Sequence, residues 1–199
     1  MNERLLPDDQ GFPVSLETRR TFAALPTYFE LSGPVTLVRL VQFGRSNYAG
    51  LELNPSSISG WPGKPSYWFE EAMLLNLLRE ARQDLSQQQA TAKHPFAAPM
   101  SELIGKYVRH CLRADLAICK DWTENFDAFV RLRLMPEDRL IALVGPVARQ
   151  PAYSQTHSQH QAVVNKNIFL EGQAKQYVID FNYPANRPHV GRILGPFDF

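Results

Sequence analysis

The sequence predicts an α+β domain, and three observations carry that reading. Runs rich in β-branched residues lie toward both ends, two helical stripes follow one another between them, and no strand–helix unit repeats. That order argues against a regularly alternating α/β sheet.

Residues 1–34 read as an irregular N-terminal extension, with Pro7, Pro13, Pro26 and Pro34 as breakers, and residues 35–199 as a single domain. VTLVRLVQ, Val35 to Gln42, predicts a first strand with Arg39 near its centre, and Tyr48–Leu53 a short second one. NPSSISGWPGKPS is a loop leading into Tyr67-Trp68-Phe69. From Glu70, the spacing of Met73, Leu74, Leu77, Leu78, Ala81 and Leu85 predicts a helix. The polar linker SQQQATAKHPFAAP precedes a second helix. Ser101 is its expected N-cap, and its inward residues run from Ile104 through Val108, Cys111 and Leu112 to Cys119 and Trp122. Two strands follow, 128–135 and 139–147, joined by a Pro136-Glu137-Asp138 turn. Residues 148–168 form a long polar segment of the length that is usually functional or disordered. FLEGQAKQYVIDF, 169–181, then joins a turn to a last strand.

Composition excludes several classes. The 199-residue chain is 44% apolar and 21% charged, ordinary for a globular domain. A net charge of +1 gives no global field to steer nucleic acid or anionic membranes. No apolar run is long enough to span a bilayer. The start, MNERLLPDDQ, places acids and a proline where a secretory signal needs apolar residues. The expected location is cytoplasmic, or a target cell reached by a non-Sec route. Cys111 and Cys119 lie eight residues apart on one predicted helix, roughly 12 Å of rise, which exceeds disulfide reach. They read as small apolar residues in a reducing compartment. His157 and His160, in THSQH, have no further ligand at zinc spacing, so no metal is expected. No P-loop, dinucleotide glycine fingerprint, nucleophile elbow or HExxH motif is present.

The residues left to carry chemistry each have two readings. Arg39 is either a solvent-facing strand residue or an anion clamp, because a guanidinium binds phosphate oxygens bidentately. Tyr67, Trp68 and Phe69 cannot all face one way in an extended chain, so some are core and another lines a pocket. Gln173 and Gln176, at the entry to the last strand, are either turn residues or amides presented to a substrate.

Taken in order, these pieces resemble the ADP-ribosyltransferase-like superfamily, and more closely its bacterial toxin domains. The likeness runs from Arg39 through the aromatic segment, LRADLAICKDW (112–122) and GPVARQ (145–150) to EGQAKQY (171–177). It implies split antiparallel sheets around a cleft with two flanking helices, and NAD as substrate with no metal. It further implies a bacterial effector role with a cognate immunity protein as partner. Cleaving the nicotinamide–ribose bond passes through an oxocarbenium-like state, as in glycoside cleavage. On this resemblance Arg39 holds the pyrophosphate and Tyr67 or Trp68 stacks the nicotinamide. Gln176, Gln173 or Glu171 bonds the ribose, with Gln176 favoured. The usual Ser-Thr-Ser-like strand is reduced to Ser66 in PSYWF, and the paired-acid motif becomes Glu171-Gly172-Gln173. An amide cannot act as the base for an acceptor. The expected activity is therefore NAD glycohydrolase first and mono-ADP-ribosyl transfer second, with a non-catalytic interaction protein as the rival.

Overall fold

The computed structural model describes residues 2–41, 66–92, 96–117, 128–151, 169–172 and 174–198. In chain order these hold β1 (Asn2–Leu5), α1 (Leu16–Arg20), β2 (Thr27–Ser32), β3 (Val35–Val41) and β4 (Ser66–Glu70). Then come α2 (Glu71–Thr91), α3 (Met100–Asp115), β5 (Ala128–Leu134), β6 (Arg139–Pro146), β7 (Gln150–Pro151), β8 (Phe169–Leu170), β9 (Lys175–Ile179) and β10 (Ile193–Asp198). Eight strands form one sheet in the order β1-β2-β6-β9-β4-β3-β5-β10, and β7 pairs with β8 alone. Every pairing is antiparallel. The protein is thus α+β.

The sheet cannot lie flat. β2 and β3 stand four places apart, about 19 Å in a flat sheet. Only Gly33 and Pro34 join them, a span of at most about 11 Å. β5 and β6 are also four places apart and joined by a tight turn, in which Asp138 N donates to Met135 O at 3.0 Å. The sheet therefore folds back on itself, and β4 is where it divides. Ser66, Tyr67 and Trp68 pair with β9, whereas Phe69 and Glu70 pair with β3.

Side-chain alternation then sorts the core into layers. Leu31, Leu37, Trp68, Val130, Leu132, Leu140, Ala142, Tyr177 and Ile179 meet on the inner face, between the two halves. The outer face of the β3–β5 half, with Val38, Leu40, Phe69 and Phe129, is covered by α2 and α3. Their buried residues recur at helical spacing: Leu74, Leu77, Ala81 and Leu85 on α2, and Ile104, Val108 and Leu112 on α3. The outer face of the other half, with Tyr28, Leu143 and Val178, lies under Leu6, Phe12 and Phe22.

Several expectations change. Residues 1–34 are not an irregular extension, since β1 and β2 build one side of the sheet and Phe12 and Phe22 cover it. Polar and proline-rich composition hid two short strands, β1 pairing with β2 and β2 pairing in turn with β6 more than a hundred residues away. β5 and β6 are joined by the expected turn yet pair with β3, β10, β2 and β9 rather than with each other. α3 begins at Met100 behind Pro99, so Ser101 is inside the helix and not its cap. The described helix ends at Asp115, before Cys119, which lies outside the described residues, as does the expected strand 48–53.

One contact ties the halves together. Gly33 is pressed against the β5–β6 turn, where a Cβ would stand 2.1 Å from Met135 O. The Asp138 carboxylate accepts from Met135 N at 2.7 Å, and that bond, with Arg192 beside it, holds the carboxyl below the usual carboxylate range. On the other half, Asn186 is fully buried and continues the β6 ladder where β9 does not reach. Its amide accepts from Ile141 N and donates to Ile141 O, both at 2.8 Å, and donates to Asp180 O at 3.1 Å. Asn186→Ala leaves these backbone groups without their partner. It is expected to lower the unfolding free energy by about 1–3 kcal/mol per group stranded, read from urea curves. Unchanged stability would show that water replaces the amide.

Candidate functional site

Glu70 marks the point where β4 passes directly into α2. It occupies the N-cap position of α2 but makes no side-chain cap bond. Its Oε1 instead accepts a 2.6 Å hydrogen bond from the Tyr177 hydroxyl. Tyr177 pairs with Trp68 across β4 and β9 and is fully buried on the inner face. The same hydroxyl stands 3.1 Å from Glu3 Oε1. Lys175 Nζ donates to both oxygens of Glu3, at 2.6 and 2.7 Å, and lies 5.2 Å from the centre of the Tyr177 ring. Burial, followed by the Glu70 hydrogen bond and charge, pushes the phenol far above its ordinary range. Tyr177 therefore remains a neutral donor held between two carboxylates.

This cluster forms part of the wall of an open cavity of about 390 Å³ lined by Glu70, Ala72, Met73, Asn76, Leu77, Asp115 and Lys175. That volume falls in the range of small-molecule sites. Burial, and then repulsion from Glu80, raises the Asp115 carboxyl above its usual range. Burial and the Asp115 charge likewise raise the Cys111 thiol, so that cysteine is not an activated nucleophile.

The turn before β9 is fastened to this wall. Gly172 adopts φ +65°, and a Cβ there would stand 2.9 Å from Val147 Cγ1. Ala174 N donates to Asp115 O at 3.0 Å, and Val147 N donates to Ala174 O at 2.9 Å. The chain thus enters β9 directly beside the end of α3, which places Lys175 at the cavity.

The residues singled out in the sequence do not converge. Arg39 is half-buried on β3 and shares the inner face with Leu37 and Val41. It sits just beyond the last β3–β4 pair, Val38 with Phe69. Trp68 is buried on the same face as core, with its Nε1 donating to Ser66 Oγ at 2.7 Å. Ser66 in turn donates to Ile179 O at 3.1 Å, so neither presents a free group. Tyr67 pairs with Val178 and is 40% exposed on the outer face. Gln176 also points outward. Its Nε2 donates to Thr21 O at 2.9 Å and Thr21 Oγ1 at 3.0 Å beneath the N-terminal segment. Glu171 is exposed and paired with Arg149 at 3.0 Å. Gln173, His157 and His160 lie outside the described residues. Arg39 and Trp68 therefore share a face that Gln176 and Tyr67 do not.

Sequence reasoning missed Glu70, Tyr177, Lys175 and Glu3. Glu70 read as the first residue of a helix, and Tyr177 only as an aromatic after the glutamine. Glu3 carried no signal, because its partners are more than 170 residues away.

No family model, curated protein or solved structure matches the chain. Among the described residues, no group of three His, Cys, Asp or Glu side chains could hold a metal. No described helix is long and apolar enough to cross a membrane.

Gln176→Ala removes two hydrogen bonds to Thr21 and is expected to cost about 1–3 kcal/mol of stability. Thermal or urea unfolding measures this directly. Full stability together with lost activity would return Gln176 to the site.

Proposed function

We propose that this protein consumes NAD, cleaving the nicotinamide–ribose bond with water as the acceptor. One observation carries the reading. A carboxylate, Glu70, held by a tyrosine hydroxyl, lines a ligand-sized cavity on the strand that lies between those of Arg39 and Lys175. The ADP-ribosyltransferase-like fold is the finer form of the proposal. It is supported by an antiparallel sheet that divides at β4 and by the two helices on one side of it.

Loss of nicotinamide leaves positive charge on the ribose, and a carboxylate beside the ring stabilises it. Glu70 takes this role, and it accepts the proton of the attacking water. Tyr177 fixes the orientation of Glu70, as the short hydrogen bond requires. The first turn of α2, through Ala72 and Met73, lines the cavity, and a helix N-terminus favours the negative charge of a pyrophosphate. Arg39 supplies a cation on the inner face. The expected ribose contact thereby passes from Gln176 to Glu70.

The change from amide to carboxylate sustains a second reading, mono-ADP-ribosyl transfer. Glu70 can deprotonate an acceptor side chain, which Gln176 could not. Water needs no docking surface, so hydrolysis is the reaction expected without an acceptor.

Purified protein incubated with NAD is expected to release nicotinamide. Glu70→Ala should lower kcat by about 10²–10⁴-fold, and Arg39→Ala should weaken binding by about 1.5–3 kcal/mol, read in KM. Absence of release from the native protein, or full activity in Glu70→Ala, would overturn the proposal. ADP-ribose joined to an added protein acceptor would select transfer.

A further inference from the structure

We propose that the Tyr177 hydroxyl is a proton-directed switch between Glu70 and Glu3, and that Glu3 is a positioning residue of the site. A tyrosine hydroxyl has one proton, yet two carboxylate oxygens lie within hydrogen-bond distance, Glu70 Oε1 at 2.6 Å and Glu3 Oε1 at 3.1 Å. The shorter contact takes the proton. Glu3 is compensated by Lys175, whose ammonium reaches both of its oxygens. The hydroxyl therefore has a resting acceptor and a second, charge-neutralised acceptor that it reaches by rotation about the C–O bond.

The two positions are set by the protonation of Glu70. When Glu70 is ionised, the hydroxyl donates to it. When Glu70 gains a proton, it becomes a donor, the phenol oxygen accepts from it, and the hydroxyl proton turns to Glu3. The use of this step in catalysis rests on the NAD reading. Water attacks the ribose carbon, nicotinamide leaves with the bond's electron pair, and the water proton passes to Glu70. Tyr177 neither gains nor loses a proton. Among the described residues that line this cavity, Asp115 is the other carboxylate and Lys175 the cation. β1 thus becomes part of the site, although it is the edge strand farthest along the sheet on that side.

The test uses the whole protein without NAD, so its outcome is separable from the functional reading. The Tyr177 hydroxyl proton is observed by NMR and assigned by its disappearance in Tyr177→Phe. It is expected to persist in Glu70→Ala, displaced in chemical shift as it moves to Glu3. It should also persist in Glu3→Ala, and vanish by solvent exchange only in the double variant. Loss of the resonance in Glu70→Ala alone, or its survival in the double variant, would overturn the switch. If Glu70→Ala does not fold, a stability cycle with Glu70→Met and Glu3→Met, neither of which leaves an oxygen acceptor, serves instead. The switch predicts that the double variant loses more than the sum of the singles, whereas additive losses contradict it. A switch confirmed in a protein that does not cleave NAD would overturn only the functional proposal.

Discussion

Two short connections govern this structure, Gly33-Pro34 and the turn of residues 135–138. Each joins strands four places apart in the sheet order, and neither can cross that distance on a flat surface. The fold-back places the inner-face residues of both halves against each other and removes them from water without a covering helix. Burial of apolar area is the main favourable term in folding, so this face supplies the core. β4 bears the consequence most directly, because five residues must serve both halves. The contact between Gly33 and Met135 matters for the same reason, since it joins the two crossings to each other.

The site follows from that division. Glu70 is the last residue of β4 and pairs with Leu37 of one half, while Trp68, two residues earlier, pairs with Tyr177 of the other. A strand shared in this way sets an ionisable end beside a buried phenol. The curl of the sheet brings Glu3, from the edge strand β1, to the same hydroxyl. Helices α2 and α3 complete the surroundings through Asn76 and Asp115, which line the cavity. Polar groups gathered in this way are costly to bury unless they satisfy one another, as Tyr177, Glu70, Glu3 and Lys175 do.

The sequence was most legible where local periodicity decides structure. The stripe from Met73 to Leu85 places the start of α2 to within a residue, although the helix runs on to Thr91 through residues that read as linker. The β-branched run at 35–41 places β3 to within a residue. The α+β class follows from the order of such segments. Pairing was less legible, because the partners of β1, β2 and β6 depend on tertiary closure rather than on neighbouring residues. Gln176 illustrates the limit. Alternation alone could not say which face of β9 is inner, and the answer comes from Thr21, in a segment that read as irregular. A one-residue change of face exchanges Gln176 for Tyr177, and with it an amide for a phenol.

On the proposed reading, ligand chemistry belongs to the Glu70 cavity and not to the Gln176 face. Amide chemical-shift mapping of the isotopically labelled protein titrated with NAD addresses this directly. The largest shifts are expected at Ala72, Met73, Asn76, Asp115 and Lys175. Shifts centred instead on Thr21, Tyr67 and Gln176, or none at millimolar NAD, would contradict it.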